Sequence, residues 1–109
     1  MNKNQVIQKD NSTREVNLYM AMELSDKKWK LAFSDGSKER LITIDAGEMI
    51  GLWKEIANAK EKFRLDEDVK VISCYEAGRD GFWIHRCLLS NGIDNNVIDP
   101  RGLRRPLKI

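Results

Sequence analysis

Three strand-length runs, joined by connections too short for a crossover, precede the first helical repeat of this chain. "VNLYMAMEL" (Val16–Leu24) is mostly apolar. "KKWKLAF" alternates, with Trp29, Leu31 and Phe33 on one face at period two. "SDGS" carries the Asp-Gly signal of a tight turn, and "ERLITI" (Glu39–Ile44) follows as a third run. Strands linked this closely can only be antiparallel neighbours, so the first half of the chain reads as a β-meander.

The period then changes. Asp45 followed by Glu48 resembles a capping box with Asp in the leading place. Met49, Ile50, Trp53, Ile56, Ala57 and Phe63 recur at helical spacing, with Lys54, Glu55, Lys60 and Glu61 largely off that stripe, which predicts a helix over about 46–62. "VKVISCY" (Val69–Tyr75) is β-branched and apolar, the composition of a central strand covered on both faces. A second helix carries Phe82, Trp83, Ile84, Cys87 and Leu88 and stops at Asn91-Gly92. "NNVID" (Asn95–Asp99) is a short fifth strand, and Pro100 ends it. The order is βββαβαβ, and a helix between the last two strands requires a right-handed crossover and a partly parallel sheet.

A chain of 109 residues suits one domain. With 41% hydrophobic and 33% charged residues it has the composition of a globular protein rather than a disordered one. Residues 1–15 are polar, lack the apolar centre of a signal peptide and read as a flexible leader. No apolar run approaches the length of a membrane span. Cys74 and Cys87 form no CxxC pair, and the single His85 cannot complete a zinc site with them, so the expected setting is reducing and cytoplasmic. The net charge of +2 excludes nothing, but Arg101, Arg104, Arg105 and Lys108 crowd into residues 101–109 with no acid among them. That basic tail is either a solvated end or an arm for nucleic-acid phosphates.

The element order is that of a five-stranded mixed sheet of the ribonuclease-H-like kind, although unrelated α/β folds share it. In that architecture the first and fourth strands lie side by side, each offering a carboxylate. Here the two are Glu23 and Glu76. Magnesium takes hard oxygen ligands and keeps several waters, so paired carboxylates on neighbouring strands are the chemistry it needs. Two such ions can activate an attacking oxygen and stabilise a leaving one in phosphodiester chemistry.

"SCYEAGRDGFWIHRCLLSNGIDNNVIDP" resembles a segment of the DEDD-type insertion-sequence transposases, relatives of the Piv and MooV DNA recombinases, and "MAMELSDKKWKLAF" resembles their first strand and hairpin. The resemblance covers roughly residues 18–100, and its Tyr-Glu-Ala-Gly-Arg-Asp-Gly-Phe-Trp run is long and specific. It implies a RuvC-like domain that binds Mg²⁺ or Mn²⁺ through four acids and processes DNA during transposition. The first acid falls on Glu23, where many members carry aspartate, and the second on Glu76. The third and fourth follow a basic segment that begins here as "RGLRRP", and no residue of this chain takes their place. Members also carry a second domain with a serine nucleophile and are associated with a guide RNA. The resulting expectation is a leader at 1–15, part of a RuvC-like transposase domain at 16–100 and the basic tail at 101–109. Such a chain is a truncated transposase, inactive alone.

Plainer roles compete for the same residues. Glu76 could cap the following helix, and Glu23 could be a solvated strand end. Arg79 and Asp80 read as a turn pair with Asp80 as N-cap. His85 reads as structural, Trp29, Trp53 and Trp83 as core, and Asp99 stays outside the metal set. The competing function is a non-catalytic module that binds nucleic acid or a full-length transposase. Apolar surface left bare by the missing acids' segment predicts a homodimer.

Overall fold

The computed structural model describes residues 16–78 and 82–99 and the backbone of 104–105. Strands β1 (Leu18–Leu24), β2 (Lys28–Ser34) and β3 (Glu39–Asp45) are followed by helix α1 (Met49–Lys62). Strand β4 (Val71–Glu76), helix α2 (Trp83–Ser90), strand β5 (Asp94–Ile98) and a two-residue strand β6 (Arg104–Arg105) complete the order. The sheet runs β3-β2-β1-β4-β5-β6. The first three strands form the expected antiparallel meander, while β1–β4 and β4–β5 pair in parallel. The expected α/β sheet of five strands is therefore present, with β6 added antiparallel on the edge of β5.

Both hairpin turns are fixed by side chains. Ser25 Oγ donates to the Lys28 carbonyl at 2.6 Å and accepts from the Lys28 N–H at 3.2 Å. Asp35 Oδ1 accepts the N–H groups of Lys38 and Ser37, and these bonds hold its carboxyl below the ordinary value. Gly36, at φ +99°, supplies the left-handed residue which the Asp-Gly signal anticipates.

The connections β3-α1-β4 and β4-α2-β5 cross the sheet in the same direction. Right-handed crossovers that advance in one direction place their helices on one face. The core agrees: Leu52, Ile56 and Ala59 of α1 and Ile84 and Leu88 of α2 join Leu18, Met20, Met22, Trp29, Leu31, Phe33, Val71, Tyr75 and Val97 in a single cluster. Each fully buried side chain of this size stabilises the fold by about 1.5–3 kcal/mol. The other face carries no helix among the described residues. The expectation that β4 is covered on both sides is thus corrected among the described residues: Ile72 and Cys74 turn to the face without a helix and are only half-buried.

Other local expectations need correction as well. Asp45 does not cap α1. It ends β3, where Lys28 Nζ reaches its Oδ1 at 2.6 Å, and Glu48 takes the N-cap position without a side-chain bond. Phe82 holds the N-cap position of α2, whereas Arg79 and Asp80 lie outside the described residues. Trp29 is buried and Trp53 packs against the core, but Trp83 is 43% exposed and rests on the Trp29 ring with centroids 6.1 Å apart. Helix α2 ends as anticipated, with Gly92 at φ +78° and the Ile93 N–H returning to the Leu88 carbonyl.

His85 is structural. Ser73 Oγ donates to Asn95 Oδ1 at 2.7 Å, and Asn95 Nδ2 lies 2.9 Å from His85 Nδ1, tying β4 to β5 to α2 inside the core. All three side chains are buried. Replacing Asn95 by Ala would leave the Ser73 hydroxyl and the imidazole without these partners, at a cost of about 1–3 kcal/mol. Urea unfolding of Asn95→Ala should show that loss as a lower midpoint at unchanged slope. At the end of α1, Arg64 occupies the left-handed position (φ 59°) of a motif in which the Leu65 N–H returns to the Lys60 carbonyl. Glycine removes the Cβ strain there. Arg64→Gly should therefore raise the melting temperature, with a gain of about 1 kcal/mol.

Candidate metal and nucleic-acid face

The open face is set by strand registers. Leu18 pairs with Val71 and Met22 with Tyr75, where the ladder ends, and Glu23 and Glu76 are the next residues of the two strands. Leu18, Met20, Met22, Val71 and Tyr75 point into the core, and alternation sends Glu23 and Glu76 together to the opposite face. Neighbouring strands lie about 4.8 Å apart, within reach of a common point for two glutamate side chains. Both residues are exposed. Among the described residues neither makes a hydrogen bond or an ion pair. Glu76 ends β4 rather than capping α2, whose N-cap position lies at Phe82.

The row containing this pair continues across the sheet. Glu23 is the cross-strand partner of Lys30, and Lys30 that of Thr43. On the other side Glu76 pairs with Ile98, and Ile98 with Arg104. The preceding row is apolar at its centre, with Leu41, Ala32, Ala21 and Cys74 in line. Leu41 is 74% exposed. Burial pushes the Cys74 thiol up, so it stays protonated and weakly nucleophilic at neutral pH. Both cysteines are free. A groove of about 480 Å³ runs along this face beside Glu23, Lys30, Leu41 and Thr43. A cleft of about 600 Å³ opens at the ends of β1 and β4, lined by Ser25, Asp26, Lys27, Tyr75, Glu76 and Gly78.

Two carboxylates suit one hydrated divalent cation, which keeps most of its waters. No group of three or more His, Cys, Asp or Glu side chains able to hold a metal exists among the described residues. Asp99 is buried and engaged in an interaction. Of the basic tail, Arg104 and Arg105 belong to β6 by their backbone, so this part of it is a sheet edge rather than a free end. Arg101 and Lys108 lie outside the described residues. Lys30 was legible only through the hairpin: the turn at Ser25–Lys28 sets which lysine faces Glu23, and composition alone does not reveal it.

The chain is 36% identical over 88 residues, 76% of its length, to a protein of Sinorhizobium fredii (strain NBRC 101917 / NGR234) named "Putative transposase y4rJ". It spans 22% of that protein's length. No family model matches the chain. The similarity marks the chain as transposase-related. No helix among the described residues is long and apolar enough to cross a membrane.

Two like charges close together, with no ion pair among the described residues, disfavour the fold. Glu76→Gln should raise stability by up to about 1 kcal/mol, with the larger gain at low salt, whereas at Glu23 the relief is offset by losing the attraction of Lys30 across the strand. A loss of stability in thermal melts of Glu76→Gln would show that this carboxylate has a stabilising partner.

Proposed function

We propose that this chain is the N-terminal part of a ribonuclease-H-like, RuvC-like domain of a DEDD-type transposase, acting on DNA. The observation that carries the reading is that Glu23 and Glu76 each follow the last paired residues, Met22 and Tyr75, of neighbouring parallel strands, and alternation turns both to one face. The β3-β2-β1-β4-β5 order and the similarity to a protein named as a transposase support it. In this reading Glu23 and Glu76 hold one Mg²⁺ or Mn²⁺, which would supply Lewis-acid stabilisation of a phosphodiester. The chain's own groups bind and orient: the two carboxylates fix the cation's position, and the basic residues Arg101, Arg104, Arg105 and Lys108 engage backbone phosphates without reading sequence.

A single ion held by two acids does not fix in-line geometry, and a displacement of about 1 Å can cost a hundredfold in rate. By itself the chain should therefore bind Mn²⁺ at millimolar concentration and leave DNA uncut. Paramagnetic broadening by Mn²⁺ should be centred on the amides around Glu23 and Glu76 and vanish in Glu76→Gln. Broadening centred elsewhere would remove the metal reading. Nicking of supercoiled plasmid in Mn²⁺ that Glu76→Gln abolishes would show that other acids complete the site.

One observation favours a second reading, a module that associates with a copy of itself or with a full-length transposase. The open face carries Tyr19, Ala21, Ala32, Leu41, Ile72 and Cys74 without helical cover among the described residues. A sedimentation profile that shifts from monomer to dimer with concentration would support this reading, and a monomer at all concentrations would count against it.

A further inference from the structure

We infer that the outer edge of β3 is an interface between two copies of this chain, whose β3 strands pair antiparallel with Leu41 opposite Leu41. Pairing of this kind gives the self-association reading, on which it rests, a surface and a register. β3 is the end strand of the sheet, and among the described residues no strand covers its outer side. Its seven residues, Glu39–Asp45, pair with β2 without interruption and include no proline and no lysine. Bulges, prolines and lysines are the usual blocks to edge pairing, and this edge has none of them. Leu41–Ile44 carries no charge. Arg40, the one cation of the strand, shares the helix-covered face with Phe33, and Glu55 meets it there at 3.6 Å.

The hydrogen-bond phase of the outer side follows from the inner one. The Asp35 N–H donates to the Lys38 carbonyl and the Ala46 N–H to the Lys27 carbonyl. Bonded pairs recur every second residue, so Lys38, Arg40, Ile42, Ile44 and Ala46 turn their backbone groups toward β2. Glu39, Leu41, Thr43 and Asp45 turn theirs outward. Two copies related by a twofold axis at this edge pair only in registers centred on a residue, because opposed side chains must share a face. Charge separates the choices. Centred on Ile42, the pairing sets Glu39 against Asp45, two like charges. Centred on Thr43, it sets Leu41 against Asp45 and brings Lys30 of each copy toward the other across a pair of threonines. Centred on Leu41, it sets Leu41 against Leu41 and Glu39 against Thr43, and behind that threonine stands Lys30 of its own copy. Glu39 then faces an opposite charge across a small side chain, twice by symmetry. Three bonded pairs form, Leu41 with Leu41 and Glu39 with Thr43 twice, for about six backbone hydrogen bonds. The apolar row Ala21, Ala32, Leu41 runs on into the same row of the second copy and covers a leucine that is 74% exposed.

An edge contact is small, so the association is weak and concentration-dependent. Sedimentation of the full chain should show a shift from monomer to dimer. Leu41→Lys sets two cations face to face at an exposed position and should weaken the dimer by roughly tenfold or more. Its thermal melt, taken where the wild type is monomeric, should stay unchanged. Register is read by cross-linking with copper phenanthroline as oxidant, in a Cys74→Ser/Cys87→Ser background. Leu41→Cys should give a disulfide-linked dimer, because opposed residues of a bonded pair stand about 5.5 Å apart, within disulfide reach. Thr43→Cys should not, because the two thiols would lie about 13 Å apart along the edge. A dimer that Leu41→Lys leaves intact, or in which Leu41→Cys fails to cross-link, overturns the inference while self-association stands. A monomer at all concentrations overturns both and leaves the transposase reading untouched.

Discussion

The parallel pairing of β1 with β4 is the contact on which the rest of this molecule depends. The meander β1-β2-β3 is local, and so is the β4-α2-β5 unit. Among the described residues the backbone ladder from Leu18–Val71 to Met22–Tyr75 joins the two into one sheet. Closing the intervening loop costs chain entropy that no local contact offsets, so it must be met by the cluster that the ladder assembles. That cluster is drawn from both halves: Met20 and Leu31 on one side, Tyr75, Val97 and Leu88 on the other, with Leu52, Ile56 and Ala59 of α1 in the same cluster. The same ladder brings Glu23 to Glu76. Fold and candidate site are therefore one event, because the hydrogen bonds that close the sheet also bring the two acids together.

Helix placement explains the asymmetry of the sheet. Two crossovers of one hand and one direction leave a covered face and a bare one. The covered face spends its polar groups inwardly: Ser73, Asn95 and His85 satisfy one another across three elements. On the bare face charged side chains stand in water, and the Lys28–Asp45 pair sits beside glutamates that have no partner among the described residues. Surface ion pairs contribute little to stability, so the contrast between paired and unpaired charges has more bearing on ligands than on folding.

Much of this was legible in the sequence, and the misses share a cause. Alternation in "KKWKLAF" gave β2 its buried face at Trp29, Leu31 and Phe33, and the Asp-Gly and Asn-Gly pairs marked a turn and a helix end where Gly36 and Gly92 take positive φ. The reading of "VKVISCY" as buried on both sides failed because β-branched composition does not report which layer covers a strand. Among the described residues no helix covers Ile72 and Cys74, which are half-buried beside their sheet neighbours. Asp45 matched a capping pattern yet went to Lys28, since a cross-strand cation outcompeted the helix terminus. Trp83 was assigned to the core by its place on an apolar helix, but an eight-residue helix buries one narrow stripe, which Ile84 and Leu88 fill. The adjacency of Glu23 and Glu76 was expected from the element order, whereas Lys30 required a register that only the hairpin geometry supplies.

That register makes the turn at Ser25–Lys28 a selector. Side chains on a sheet return to the same face every second residue, so a two-residue slip of β2 against β1 would keep Trp29, Leu31 and Phe33 inside while changing what faces Glu23. One direction of slip presents Lys28, the other Ala32. The core would barely register either change, but the charge pattern of the open face would be rewritten. Ser25, through its two short bonds to Lys28, thus holds in place an alignment that hydrophobic packing leaves degenerate. A single polar turn residue decides which chemistry the sheet displays.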